Sequence, residues 1–139
     1  MAYDRNNIFA KILRGEAPCI RVYEDNQTLA FMDIRPQADG HTLIVPKTEA
    51  ESIFDLDATT AASLIETTQK VARAIKKALK PAGVTLVQLN GSAAGQTVFH
   101  VHFHVIPLGG RSEYSLHGSG TTDATRLQEI AEMIGNAIE

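Results

Sequence analysis

Val98-Phe99-His100-Val101-His102-Phe103-His104-Val105-Ile106-Pro107 places three histidines at alternate positions in an otherwise apolar run. β-Branched and aromatic residues of this kind suit a pleated strand. Strand side chains alternate between faces, so His100, His102 and His104 are expected to project together, with Phe99, Val101, Phe103 and Val105 opposite. Successive Cα atoms on that face would then stand roughly 6 to 7 Å apart. A lone histidine in a strand is usually half-buried with one nitrogen satisfied; three in register point to a site that needs several imidazoles. Unperturbed imidazole titrates near pH 6.5, and three neighbours repel one another as cations, so their titrations are linked. Such a cluster can hold one neutral nucleophile or base beside one proton donor.

The rest of the chain supplies the framework. Its 139 residues, 44% hydrophobic and 21% charged, are enough for one soluble domain with a core. The net charge of −3 argues against a nucleic-acid surface but not against a small phosphorylated ligand. Cys19 is the sole cysteine, so an internal disulfide is ruled out, in keeping with a reducing compartment. The opening residues lack the pattern of a secretory signal, and no apolar run reaches about 18 residues. The expected setting is the cytoplasm, with no membrane partner.

Residues 6 to 14 read as a short helix, capped by Asn6 or Asn7 and ended by Gly15, with Ile8, Phe9, Ile12 and Leu13 at helical spacing. Strands are expected over about 20–24 and 28–34, joined by a turn at Asp25-Asn26-Gln27, and over 41–45, stopped by Pro46. The clearest helix runs from about 58 to 79. Asp57 or Thr59 caps it, Leu64, Ile65, Thr68, Val71, Ala72, Ile75 and Leu79 form its stripe, and Pro81 and Gly83 end it. A fourth strand follows at 84–89, then a glycine-bearing loop at 90–95 and the histidine strand. Residues 108 to 122 read as an irregular surface loop. A last helix, capped by Thr122 or Asp123, carries Leu127, Ile130, Ala131 and Ile134 on one side. Strand runs interrupted by one long helix predict an α+β fold with an antiparallel-rich sheet, one face on the long helix and the other carrying the histidines.

Two readings bear on ligands. Gly91, Gly95, Gln96 and Thr97 bring small residues, backbone N–H groups and a hydroxyl to the edge of the histidine face, where an anion such as phosphate could be received; a plain β-turn is the alternative. Alternating histidines can also put two or three nitrogens on one zinc. A complete site needs more ligands, and the chain offers no CxxC; the next acid is Glu113, beyond a glycine-bearing stretch. The expectation is a site with no metal and no cofactor.

Gly95-Gln-Thr-Val-Phe-His-Val-His-Phe-His-Val105 resembles the His-x-His-x-His signature of the histidine triad (HIT) proteins. The resemblance also takes in Asn7-Ile-Phe-Ala-Lys-Ile12, Leu29-Ala-Phe-Met-Asp-Ile34, Pro36-Gln37 and Gly40-His-Thr-Leu-Ile-Val-Pro-Lys47, and fades after Leu108. It is nearest to the Hint branch of nucleoside phosphoramidases and nucleotide-binding proteins. It implies one HIT domain over 1–139, with a core of about 5–108 and a divergent loop plus C-terminal helix over 109–139.

By that resemblance His102 attacks the α-phosphorus of a purine nucleotide, His104 contacts the phosphate and assists proton transfer, His100 supports, and His41 backs and orients the nucleophile. Gln96 and Thr97 match residues that touch the phosphate or leaving group. Phe9, Ile12, Phe31, Asp33 and Ile34 match the base and sugar pocket; without the resemblance the four apolar residues read as core. Many relatives carry cysteines at the positions of Asn7 and Ala10 and a histidine at that of Glu49, which with the first triad histidine bind a structural zinc. Their absence here predicts no bound zinc. A polar amide of many relatives is replaced by Leu89, with Asn90 as the candidate substitute. The implied reaction passes through a nucleotidyl-histidine. The alternatives are dinucleoside polyphosphate hydrolysis and nucleotide binding with incidental activity. The family implies a homodimer.

Overall fold

The computed structural model describes residues 2–109 and 122–139. The elements in chain order are α1 (Ile8–Leu13), β1 (Arg21–Glu24), β2 (Thr28–Met32), β3 (Thr42–Pro46), α2 (Ala58–Leu79), β4 (Gly83–Val87), β5 (Phe103–Leu108) and α3 (Ala124–Asn136). Short 3-10 turns lie at Ile53–Asp55 and Ser92–Ala94; periodicity gives no sign of either. The strands form one antiparallel sheet in the order β1-β2-β3-β5-β4, which is the expected α+β class. The loop expected over 108 to 122 lies mostly outside the described residues.

The helices begin where short polar side chains can take up free N–H groups. Asn7 accepts from Ala10 N at the start of α1, Asp57 from Thr60 N at α2, and Asp123 from Thr125 N at α3. At the end of α2 it is Lys80, not a glycine, that adopts the left-handed conformation (φ 50°). Pro81 follows, and Gly83 already belongs to β4. Leu64, Thr68, Val71 and Ile75 of the expected stripe are buried, whereas Ile65 is 50% exposed.

Both faces of the sheet centre are covered, and strand alternation divides them. Ala30 and Met32 of β2, Ile44 of β3 and Val105 of β5 pack with Leu64, Val71, Ala74 and Ile75 of α2 and the apolar side of α3. Leu29, Phe31, Leu43 and Val45 face the other way and pack with Phe9 of α1. Fully burying a side chain such as Ile44 contributes about 1.5–3 kcal/mol. A one-residue slip of β5 would exchange Val105 for His104 in the helical core, so the same packing that stabilises the fold holds His104 on the far face.

The histidine strand is shorter than expected, because β5 starts at Phe103. The β3–β5 ladder covers Thr42 to Ile44 against Phe103 to Val105. Upstream of it the chain leaves β3, and Val101 N–H donates to Ala50 O instead. Phe99 accordingly lines a surface cleft rather than the helical core.

Candidate active site

Four histidines meet at the join of β3 and β5, and hydrogen bonds to main chain or, for His104, to His41 decide which nitrogen of each ring carries the proton. His41 immediately precedes β3. Its Nδ1 accepts from Gln37 N–H at 3.0 Å, so in the neutral ring the proton sits on Nε2. That Nε2 lies 2.9 Å from His104 Nδ1 and donates to it. His104 therefore carries its own proton on Nε2. His102 Nδ1 donates to His100 O at 2.7 Å, since a carbonyl only accepts, and its Nε2 is left bare. His100 Nε2 donates to Pro46 O at 2.8 Å, and its Nδ1 receives the Tyr3 hydroxyl. The ring of His102 stands 5.0 Å from that of His104, and His104 stands 5.1 Å from His41. The result is a bare nitrogen on His102 neighbouring an N–H donor on His104.

Burial keeps these rings neutral. It pushes His41, His100 and His102 below the ordinary imidazole value. His104 falls to about 4, chiefly through burial and then through the neighbouring His102 and His41. The Asp33 carboxylate opposes the fall at His41, His102 and His104. Its Oδ2 lies 3.4 Å from His41 Nε2, and its Oδ1 accepts from Arg35 N. The turn ahead of His41 leaves little freedom: Gly40 has φ +97°, and a Cβ there would stand 2.4 Å from Leu79 Cδ1.

The structure brings some of the expected pocket residues together and separates others. Phe9 packs edge-on against His102 (ring centroids 4.9 Å) and against Phe31 (5.3 Å), with Ile12 alongside. Ile34, next to Asp33, is 65% exposed. His41, expected to back His102, is hydrogen-bonded to His104. Gln96 is buried and its amide is engaged by main chain: Oε1 accepts from Gly91 N, and Nε2 donates to Glu51 O and Val98 O. Asn90 Oδ1 accepts from Ile53 N and from Gln88 Nε2. These two side chains brace the loop, which leaves its backbone N–H groups and the hydroxyls of Ser92 and Thr97 facing the adjoining cleft. Gly95 closes the 3-10 turn at φ 101°. Thr97 is exposed and lines a cleft of about 580 Å³ together with Asn7, Ile8, Gly91, Ser92 and Phe99.

Asp33, His41 and His104 each place one donor atom within 4.8 Å of the others, the one such convergence among the described residues. His41 Nε2 and His104 Nδ1 are already spent on the hydrogen bond between them. At two positions where the resemblance implied zinc ligands in relatives, Asn7 caps α1 and Glu49 pairs with Arg5 at 2.9 Å. Sequence reasoning missed Tyr3, the Gln37 N–H and the Pro46 carbonyl. The last two act through main chain and carry no residue-type signal.

The HIT domain model matches residues 14–110. "Protein hit" of Bacillus subtilis is 42% identical over 108 residues, covering 78% of this chain and 74% of its own. Adenosine 5'-monophosphoramidase hnt1 of Schizosaccharomyces pombe is 40% identical over 100 residues, 72% of each chain. Adenylylsulfatase HINT3 of Arabidopsis thaliana is 38% identical over 100 residues, 72% of this chain and 51% of its own. Among solved structures, a Hit-like protein of Bartonella henselae matches with a TM-score of 0.89 at 45% identity, covering 99% of this chain and 100% of its own. A hypothetical histidine triad nucleotide-binding protein of Sulfolobus tokodaii gives 0.85 at 30% identity, over 93% and 89%. A Zn-bound histidine triad protein of Mycobacterium smegmatis gives 0.82 at 34%, over 95% and 92%. The chain belongs to the histidine triad (HIT) family.

Proposed function

We propose that the protein is a nucleotide hydrolase that works on the α-phosphate of a purine nucleoside phosphoramidate, or a similar ester or anhydride, through a nucleotidyl-histidine. The observation that carries this reading is the hydrogen-bond pattern of the site, which leaves His102 Nε2 bare and assigns an Nε2–H to His104, its ring neighbour at 5.0 Å. Relatives named adenosine 5'-monophosphoramidase and adenylylsulfatase support hydrolysis of nucleotides at this coarser level.

In the first step the His102 Nε2 lone pair attacks phosphorus and the bond to the leaving nitrogen breaks. An anionic phosphoryl group entering the cluster raises the proton affinity of His104, so the complex takes up one proton on His104 Nδ1, and His41 Nε2–H turns to Asp33 Oδ2, 3.4 Å away. His104 Nε2 passes its proton to the leaving amine. In the second step water attacks the phosphorus, the bond to His102 breaks, and the water's proton returns to His104. A nucleoside monophosphate leaves. Loop N–H groups stabilise the non-bridging oxygens. Ile34, 65% exposed beside Asp33, offers apolar surface for a base in front of the buried Phe9 and Phe31, and Asp33 the acceptor for ribose hydroxyls. We further propose that the protein works as a cytoplasmic homodimer, which sedimentation at micromolar concentration tests for oligomeric state. Among the described residues no helix is long and apolar enough to cross a membrane.

The experiment is hydrolysis of an adenosine phosphoramidate by wild type and His102→Ala. The variant is expected to bind adenosine monophosphate and to lose turnover. Wild-type turnover by His102→Ala would refute the assignment.

A further inference from the structure

Tyr3 lies 97 residues from His100 in sequence, yet its hydroxyl is hydrogen-bonded to His100 Nδ1. The two rings meet edge to face, with centroids 5.6 Å apart. The segment that carries Tyr3 is tied down without help from the triad. Arg5 pairs with Glu49 at 2.9 Å, Arg14 Nη1 donates to Arg5 O at 2.7 Å, and Asn7 Nδ2 donates to Asp4 O at 2.7 Å. Burial holds the phenol above its ordinary value, so it is a donor at neutral pH.

We propose that Tyr3 is a positioning residue for the triad: it fixes the tautomer of His100 and thereby the carbonyl on which His102 is oriented. The chain of contacts is continuous. The Tyr3 hydroxyl donates to His100 Nδ1, His100 Nε2–H donates to Pro46 O, and the His100 carbonyl receives His102 Nδ1–H. His100 is 0% exposed, and Tyr3 itself lines the cleft of about 280 Å³ that adjoins it, so the phenol ring stands between Nδ1 and solvent. Without the Tyr3 hydroxyl the ring either keeps an Nδ1 with no protein donor or moves the proton there. In the second case the Nε2 lone pair faces the lone pairs of Pro46 O. Either outcome disturbs the residue whose main chain sets the nucleophile's tautomer. This inference rests on the reading of His102 as nucleophile, and its ring-level part is testable without turnover.

Tyr3→Phe keeps the ring and removes the donor. Imidazole 15N spectra of wild type should show His100 as a single Nε2–H tautomer and His102 as a single Nδ1–H tautomer. In Tyr3→Phe both should become mixtures, while the His41–His104 pair keeps its pattern. The kcat for an adenosine phosphoramidate should fall about tenfold, the size of one buried hydrogen bond, with KM changed by less than about twofold. If the spectra of Tyr3→Phe match wild type, or kcat is unchanged, the proposal fails. Wild type without turnover would refute the proposed hydrolase, leaving the spectra to decide the role of Tyr3. Should Tyr3→Phe fail to fold, fluorotyrosine at position 3 makes a stronger donor of the same shape. The His100 Nδ1 signal should then move toward its protonated value; no movement overturns the proposal.

Discussion

His41, just ahead of β3, donates its Nε2–H across 2.9 Å to Nδ1 of His104 on β5, in strands whose register pairs Leu43 with His104. That bond is what leaves the proton of His104 on Nε2. His41→Asn removes the ring that enforces it, and His104 is then free to carry its proton on Nδ1. Loss of a positioned proton donor is worth about 100-fold or more in rate. The variant should lose that much kcat while its affinity for adenosine monophosphate stays within about twofold. Steady-state kinetics with calorimetric binding check this; an equal loss in affinity would place His41 in binding instead.

The buried rings predict an acid-sensitive fold. His41, His100, His102 and His104 lie below the ordinary imidazole value in the folded protein, His104 at about 4. Unfolded, each returns to about 6.5. Between those values the unfolded chain binds more protons, so the stability present above about pH 6.5 is lost as pH falls toward 4. Each ring kept neutral contributes up to about 1.4 kcal/mol per pH unit in that window. Glu24 is held below the ordinary carboxylate range by its hydrogen bond with Lys47, and acts at lower pH. Tm should drop by about 10 °C between pH 7.5 and 5. A flat profile over that range contradicts the burial of neutral rings.

Gln96 is expected to matter through the loop. Its amide joins Gly91 N, Glu51 O and Val98 O, three main-chain groups that few side chains could satisfy together. Gln96→Ala should destabilise the protein by about 1–2 kcal/mol in urea unfolding, since it removes a buried amide and the three part-buried main-chain bonds that it makes. A variant with unchanged stability and weakened nucleotide binding would show that the side chain serves the ligand.

These two sites also show which parts of the molecule are legible in sequence. The ends of α2 and the buried side of α3 follow from local signals, a capping aspartate and a period near 3.6, which act over a few residues. The alternation at Phe103, His104 and Val105 is equally local and correct. Its extension back to Val98 fails because the departure from β3 depends on Ala50, a partner distant in sequence. The histidines themselves were evident, but their proton positions were not, since those depend on Gln37 N and on the Pro46 and His100 carbonyls. Tyr3 gave no signal, because nothing in its local pattern points 97 residues ahead. The resemblance singled out Gln96, and only the fold shows its amide turned to the main chain.

The central claim is that His102 Nε2 becomes bonded to phosphorus. The direct measurement is acid-free quenching of a single turnover with an adenosine phosphoramidate, followed by mass spectrometry of the peptide that contains residues 98–108. An adenylyl group on His102 that forms and decays within the turnover, and is absent in His102→Ala, is the predicted result. Product formed with no adduct, or with the adduct on His104 or His100, would contradict the account.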